Sequence, residues 1–246
     1  MNRLLNIYIY SLIVTYTLIL YPFFLLSFIV ICLFLPKRLF YRFLRRFISW
    51  YGLFIIKVLV FPFIKVKFVD LAPNEKITPC VFIMNHKSAS DPYLLACLPY
   101  EIVQVVNSWP FKIPILGFVA KQAGYLSVKE MSYREFETAI VKLLSENACI
   151  GAFPEGTRSG EGEMGQFHGA VFRAAAKAKV PIVPLCVMGN ERIPTKKFVL
   201  HRGTIKIRKL KALYPEQYIN MTSFQLKNHI RNIIYDELLK MKNEVN

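Results

Sequence analysis

The chain has 246 residues, enough for one substantial α/β domain with an accessory segment. It is 54% apolar and carries a formal charge of +16, a combination that favours a membrane surface over an ordinary soluble domain. Nucleic acid binding is disfavoured because the excess apolar residues lie at one end of the chain. Four scattered histidines and five unpaired cysteines form no metal-ligand cluster, so we expect no metal site and reduced core cysteines in a cytosolic compartment.

An uncharged apolar run extends from Leu4 to Pro36. A helix of this length would be roughly 50 Å long, whereas the hydrocarbon of a bilayer is about 30 Å thick. A signal peptide is disfavoured because the run is too long and lacks a small-residue cleavage site. Pro22, near the middle, leaves two alternatives: a kinked single span, or a turn between two short helices that enter one leaflet.

A basic amphipathic stretch follows this run. Large apolar residues fall at helical spacing on one face and arginines on the other: Leu39, Phe40, Phe43, Leu44 and Phe47 against Arg38, Arg42, Arg45 and Arg46. This pattern is typical of a helix in the headgroup region of an anionic leaflet. The positive-inside rule then predicts that everything after Lys37 faces the cytoplasm. Residues 47–63 are again apolar and predict a second membrane-apposed helix.

Beyond residue 64 the pattern changes to that of an α/β domain. Strands are predicted at 64–68, 80–84, 102–106, 149–153, 181–187 and 204–210. Helices are predicted at 92–98, 113–122, 133–146, 168–178 and 222–242. Strands separated by helices indicate a mixed, mostly parallel sheet flanked by helices. We therefore divide the chain into membrane-anchoring helices at 1–63 and an α/β domain at 64–246.

A histidine and an aspartate follow the buried strand at 80–84. His86 falls at the end of the strand, and Asp91 falls five positions later at the start of a helix, where Pro92 fits the first turn. The loop between them can fold the carboxylate back onto the imidazole. Such a pair is the base half of a Ser-His-Asp triad, in which a substrate hydroxyl can replace the serine. A surface histidine beside a helix cap is the alternative that this stretch alone leaves open.

The strand at 149–153 also ends in a polar turn. The turn consists of Glu155, Gly156, Thr157, Arg158 and Ser159. Gly156 lets a ligand approach the backbone, and Arg158 offers a planar fork of donors that matches a phosphate. Thr157 and Ser159 add hydroxyl donors, and Glu155 is expected to hold the guanidinium. Three glycines close behind predict a flexible loop over the site. The alternative is a capped loop with a local ion pair.

These motifs resemble those of the lysophosphatidic acid (1-acylglycerol-3-phosphate) acyltransferases. Residues 85–91 (NHKSASD) resemble the family's NHxSxxD block, and residues 153–159 read FPEGTRS, its third block. Residues 113–117 resemble the second block and residues 180–185 the fourth, in the family's order and spacing. Four ordered blocks are far more specific than a single one.

The resemblance implies a membrane-bound O-acyltransferase that moves an acyl chain from acyl-CoA or acyl-carrier protein to the free hydroxyl of a lysophospholipid. It implies no cofactor beyond this co-substrate. His86 would be the general base and Asp91 its orienter, while residues 155–158 would hold the phosphate of the acceptor. The first acceptor expected is 1-acyl-sn-glycerol-3-phosphate, which gives phosphatidic acid. The catalytic domain would then be residues 64–246, on the cytoplasmic face of the membrane.

The chain departs from the family pattern at three basic positions. Residues 106–110 replace a lysine-rich segment, Lys129-Glu130 replaces an Asp-Arg pair, and His168 replaces a lysine. Another lysolipid acceptor is therefore a second expectation. A lipid hydrolase is disfavoured because the sequence has no GxSxG turn. A non-catalytic lipid-binding protein of the same fold is disfavoured because it would need no base.

Overall fold

The computed structural model describes residues 2–34 and 36–244. The α-helices are α1 (Asn2–Phe34), α2 (Lys37–Phe54), α3 (Asp91–Leu94), α4 (Leu116–Gln122), α5 (Tyr133–Ser145), α6 (Ala170–Ala178), α7 (Pro215–Tyr218) and α8 (Ser223–Asn243). The strands are β1 (Ile64–Asp70), β2 (Val81–Met84), β3 (Ile102–Val106), β4 (Leu126–Ser127), β5 (Cys149–Ala152), β6 (Ile182–Met188) and β7 (Gly203–Lys209). A π-helical turn follows α2, and short 3₁₀ turns follow α3 and precede α4.

The seven strands form one sheet in the order β1-β7-β6-β2-β5-β3-β4. β7 is antiparallel to β6, and the other neighbouring pairs are parallel. The predicted mixed, mostly parallel sheet is therefore confirmed. β2 lies in the centre between β5 and β6, so the carboxyl ends of these three strands meet at one edge of the sheet. Polar turns that are far apart in sequence are brought together there.

The side chains of β2 alternate between two buried faces. Val81 and Ile83 pack with α5, α6 and α8, whereas Phe82 and Met84 pack with α1 and the end of α2. Because both faces are covered, the strand reads as a continuous apolar run with no polar alternation. The sheet thus separates α5, α6 and α8 from α1 and α2.

The predicted elements of the α/β domain are present, with boundaries that differ by a few residues. The helix predicted at 92–98 is divided into α3 and a 3₁₀ turn at Leu95–Cys97. β4 and α7 were not predicted, because elements of two and four residues are too short to show a hydrophobic period.

α1 is one continuous helix of 33 residues that passes through Pro22. The alternative of two short helices joined by a turn is therefore wrong. Proline removes one donor from the helical ladder, and the bonds on either side keep the helix intact. Of the helices in the described ranges, α1 is the one that is long and apolar enough to cross a membrane, judged by length and composition.

α1 lies along the rest of the molecule and contacts it near both of its ends. Near the start, Asn6 Nδ2 donates to the carbonyl oxygen of Leu200 at 2.9 Å. Near the end, the ring centroids of Phe28 and Phe40 lie 5.2 Å apart. The turns between them pack on α2, where the Thr17 and Tyr51 hydroxyls are 2.7 Å apart.

The opposite face of α1 is exposed and apolar. Its large exposed side chains are Leu4, Ile7, Tyr8, Val14, Leu18, Ile19, Phe23, Leu25, Leu26, Ile29 and Val30. Exposed apolar surface of this extent is unusual for a soluble monomer and is typical of contact with lipid or another protein. The assignment of residues 1–63 as a separate anchoring segment stays a prediction.

The arginines of α2 do not form the single exposed face predicted from the sequence. Arg45 is 6% exposed; its Nε donates to the carbonyl oxygen of Ala123 at 2.9 Å, and its Nη1 binds Glu101 at 2.8 Å. Arg42 binds the same carboxylate at 2.9 Å. Helical spacing cannot reveal a carboxylate that the fold brings from beyond residue 100, which is why the prediction was wrong for Arg45.

The prediction of a separate second helix within 47–63 is also wrong. α2 runs without interruption to Phe54 and continues into the π-helical turn at Ile55–Leu59. Tyr51, Ile55 and Ile56 are buried in the same cluster as Phe82. These residues are apolar because they pack against the sheet.

Candidate functional site

His86 and Asp91 meet at the carboxyl edge of β2. His86 Nδ1 lies 2.7 Å from Asp91 Oδ2. The histidine side chain is 17% exposed and the aspartate side chain is fully buried. His86 also packs on Phe153, with ring centroids 4.7 Å apart. Because Nδ1 is engaged, the imidazole has Nε2 available for a ligand.

The carboxylate of Asp91 accepts hydrogen bonds on both oxygens. Oδ2 accepts the backbone N–H groups of Lys87 at 2.7 Å and Ser88 at 2.9 Å, in addition to its contact with His86. Oδ1 accepts the side-chain amide of Asn190. A buried carboxylate is costly unless it is bonded in this way. These bonds fix the position of the group that orients the imidazole.

Asn190 is a site residue that the sequence interpretation missed. It is fully buried and follows β6, the parallel neighbour of β2, so it arrives at the same edge of the sheet. Gly189 precedes it with φ +87°, and a Cβ there would lie 2.3 Å from the carbonyl oxygen of Thr204. A glycine and an amide directly after a buried strand were the available signal.

Glu155 binds backbone groups, not the guanidinium of Arg158 as predicted. Its Oε1 accepts the N–H of His86 at 2.6 Å, and its Oε2 accepts the N–H of Gly165 at 2.8 Å. Ser159 holds the other side of the same histidine, since its N–H and its hydroxyl both donate to the His86 carbonyl oxygen, at 2.8 and 3.0 Å. The second motif therefore holds the main chain of the first.

The other three residues of this turn face the cavity beside His86. Gly156 and Thr157 are exposed, and Gly156 has φ +70°. Arg158 is half-buried, with its guanidinium carbon 5.2 Å from the ring centroid of Phe198. Arg158 Nη1 is buried and has no hydrogen-bond partner within the described ranges. A buried guanidinium donor is costly when unpaired, so its position fits an anionic ligand.

The glycine-containing loop after this turn is bonded at several points, in contrast to the flexible loop predicted. Arg231 of α8 donates to the carbonyl oxygens of Gly165 at 2.8 Å and Met164 at 2.7 Å. Lys87 Nζ donates to the carbonyl oxygen of Gly162 at 3.0 Å. The contact between Glu155 and Gly165 adds a further bond. The sequence could not show the bonds from α8, because Arg231 lies more than sixty positions further along the chain.

A cavity of about 1050 Å³ opens beside His86. On one face of the sheet it runs between the strands and helices α1 and α2, where its walls are mainly apolar and aromatic. On the other face it reaches the first turns of α5 and α6. The charged side chains that line it, apart from the histidines, are Lys129, Arg158, Arg173 and Lys196. No aspartate or glutamate lines it in the described part of the chain.

Comparisons with known proteins agree with the resemblance found in the motifs. The model of the acyltransferase family matches residues 64–188. A chloroplast 1-acyl-sn-glycerol-3-phosphate acyltransferase of Brassica napus is 31% identical over 183 residues, which cover 72% of this chain and 53% of the relative. A protein of Mycoplasma genitalium named "probable 1-acyl-sn-glycerol-3-phosphate acyltransferase" is 28% identical over 248 residues, covering 89% and 88%. The chain spans about half the length of the plant relatives it matches.

A solved structure shares the fold. The crystal structure of the 1-acyl-sn-glycerophosphate acyltransferase from Thermotoga maritima has a TM-score of 0.77 to this chain at 18% identity, and the match covers 98% of this chain and 96% of the other.

We expect Asn190→Ala to lower the free energy of unfolding by about 1–3 kcal/mol, because it leaves an oxygen of the buried Asp91 carboxylate unpaired. Asn190→Asp should be destabilised further, since it places a second carboxylate against the first. Chemical denaturation in detergent measures the change, and ¹⁵N NMR of the His86 ring reports whether the imidazole moves. Asn228→Ala on α8 is the control. Unchanged stability and ring shifts in Asn190→Ala would show that Asn190 does not hold Asp91.

Proposed function

The chain belongs to the acyltransferase family, and we propose that it transfers an acyl chain from a thioester donor to the free hydroxyl of a lysophospholipid. The observation that carries the proposal is the contact between His86 Nδ1 and the buried Asp91 carboxylate at 2.7 Å, beside a large cavity. A protein that only bound lipid would have no need for a base held in this way. The donor is acyl-CoA or acyl-carrier protein.

In this proposal His86 acts as the general base. Its Nε2 accepts the proton of the acceptor hydroxyl while the hydroxyl oxygen attacks the thioester carbonyl carbon. The new ester C–O bond forms, the C–S bond breaks, and the proton then passes from Nε2 to the departing thiolate. Asp91 keeps Nδ1 protonated and stabilises the imidazolium that exists between these two transfers. No covalent enzyme intermediate and no cofactor are required.

The acceptor is proposed to be 1-acyl-sn-glycerol-3-phosphate, with phosphatidic acid as the product. Arg158 supports this choice because it presents a buried, unpaired guanidinium donor to the cavity, and such a fork matches a phosphate. Gly156 and Thr157 lie beside it and are open to a ligand. Another lysolipid with a phosphate at the same position would satisfy the same contacts.

Apolar walls suit the acyl chains of both substrates. Ile13 and Leu20 of α1 line the cavity together with Ile55 and Val119. α1 is therefore part of the substrate cavity as well as a lipid-facing element, and an acyl chain can remain in apolar surroundings from the bilayer to the site.

We place α1 in the plane of the cytoplasmic leaflet. Asn6 near one end of the helix binds Leu200, and Phe28 near the other end packs on Phe118, with ring centroids 5.7 Å apart, so both ends contact the α/β domain. A perpendicular span would draw that domain into the hydrocarbon, where its polar surface would be unsatisfied. The exposed apolar face of α1 then lies against lipid. The α/β domain stays on the cytoplasmic side.

His86→Ala should lower kcat by about 100- to 10,000-fold, the usual contribution of a positioned general base. Asp91→Asn should also be severely impaired, through the loss of imidazole orientation. Acyl transfer from labelled acyl-CoA measures both, and a thermal melt checks the fold. His229→Ala, an exposed histidine on α8, is the control and should keep full activity. Turnover at the wild-type rate in His86→Ala would rule out this mechanism.

Arg158→Ala should raise KM for the lysophospholipid by about 10- to 150-fold and leave KM for the donor unchanged, because a charge-assisted hydrogen bond contributes roughly 1.5–3 kcal/mol. Arg158→Lys should recover only part of the loss, since an ammonium cannot bind a phosphate with two parallel bonds. Steady-state kinetics in which the concentrations of donor and acceptor are both varied measure the two KM values. Arg192→Ala, an exposed arginine near the same surface that does not line the cavity, is the control. Equal impairment toward both substrates would place the phosphate elsewhere.

A third expectation concerns the topology of α1. Single cysteines in place of Arg3 and Lys37, in a variant without the native cysteines, should both be labelled by a membrane-impermeant maleimide from the cytoplasmic side of sealed vesicles. Glu216→Cys, exposed on the α/β domain, marks that side. Labelling of Arg3→Cys only from the opposite side would show that α1 spans the bilayer.

A further inference from the structure

The four basic side chains of the cavity come from two different sets of elements. Arg158 and Lys196 lie in neighbouring loops, since Lys196 Cε comes within 3.2 Å of the position of a Cβ at Gly160. Lys129 follows β4, Arg173 lies in the first half of α6, and both side chains are exposed. We call Lys129 and Arg173 the α6 cation pair.

The pair formed by Arg158 and Lys196 is on the α1 side of the molecule. The Arg158 guanidinium stacks on Phe198, and the carbonyl oxygen of Phe198 accepts a hydrogen bond from the Tyr10 hydroxyl of α1 at 2.7 Å. A phosphate bound there belongs to a molecule whose apolar chain can extend along the lipid-facing helix. This is the position expected for the lipid acceptor.

The α6 cation pair is on the opposite side of the sheet. α5 and α6 pack on the face that carries Val81 and Ile83, away from α1. The guanidinium carbon of Arg173 lies 5.7 Å from the ring centroid of Tyr133, whose side chain is 76% exposed. Stacking on a ring holds the plane of the guanidinium and leaves its N–H edge free for an anion. Arg173 and Lys129 are both exposed, so they bring positive charge to a part of the cavity that water reaches.

Both substrates of the proposed reaction carry phosphate, and this step rests on the proposed function. The acceptor holds its phosphate next to the reacting hydroxyl. The donor holds its thioester at the end of a phosphopantetheine arm, which is shared by CoA and the acyl-carrier protein. Because the arm and its carrier are water-soluble, the donor must approach from the aqueous side. We propose that the α6 cation pair, Lys129 and Arg173, binds the phosphate of the thioester donor.

The test compares donors with and without phosphate. Arg173→Ala and Lys129→Ala should each raise KM for acyl-CoA by about 10-fold, the effect of losing one ion-paired hydrogen bond at a partly exposed site. KM for the lysophospholipid should not change. With acyl-pantetheine, which has the same thioester and no phosphate, the variants should match the wild type. Raised salt should weaken the binding of acyl-CoA to the wild type, and it should reduce the difference in KM between the wild type and the variants.

Lys177→Ala is the matched control. It removes the same charge from the same helix one turn later, its ammonium binds Glu137 at 2.8 Å, and it does not line the cavity. It should leave KM for acyl-CoA unchanged. Arg173→Lys should keep part of the affinity, which separates loss of a phosphate contact from loss of packing on Tyr133.

A parallel series with acyl-carrier protein distinguishes the sources of the phosphate. Equal losses with acyl-CoA and acyl-carrier protein assign the pair to the shared phosphopantetheine phosphate, and a loss with acyl-CoA alone assigns it to the nucleotide phosphates. A rise in acceptor KM, or an equal loss with acyl-pantetheine, would overturn the proposal and leave the proposed function intact. Absence of transfer by the wild type from every thioester would instead refute the proposed function.

Discussion

A fully buried carboxylate must find all of its hydrogen bonds within the protein, and Asp91 imposes this requirement on the whole edge of the sheet. Its donors are the His86 ring, two backbone N–H groups of the following loop, and the amide of Asn190. The loop after β2 and the turn after β6 supply these donors to Asp91 only when β2 and β6 are in register. The orientation of the imidazole therefore depends on correct assembly of the sheet.

The two motifs act as one structural unit because β2 and β5 are parallel neighbours. Glu155 binds the N–H of His86 and Ser159 binds its carbonyl oxygen, so the peptide groups on both sides of the histidine are fixed from the second motif. Asn85 makes a similar connection to β6, since its amide pairs with both the N–H and the carbonyl oxygen of Val187. A change in any of these residues would move the imidazole without touching it. We expect these residues to affect function by positioning the imidazole. Residues that orient metal ligands without binding the metal act in the same way.

Local pattern was sufficient for every strand of the sheet except the two-residue β4, and for the pairing of His86 with Asp91. That pair is defined by a strand, a turn and the start of a helix within twelve residues. The buried strands are defined by their apolar runs. It was insufficient wherever a partner came from another part of the fold. Asn190 and Glu155 are 99 and 69 positions from the residues that they bind, and no spacing rule covers such distances. The wrong prediction for Arg45 has the same cause, because Glu101 reaches it only in three dimensions.

α1 forms a wall of the cavity beside His86 and also faces outward with apolar side chains, and for the proposed function this determines the path of the lipid. Moving an acyl chain through water costs about 0.8 kcal/mol for each methylene, so a chain of about sixteen carbons would meet a barrier of roughly 12 kcal/mol. If α1 lies in the leaflet as proposed, the cavity would remove most of that barrier, because the chain would slide sideways between two apolar media. Only the headgroup of the proposed acceptor and the soluble arm of the proposed donor would then need to meet at an aqueous boundary. In the proposed function the acceptor would therefore reach the site by lateral diffusion without leaving the membrane, and a diacyl product would return to the leaflet by the same route.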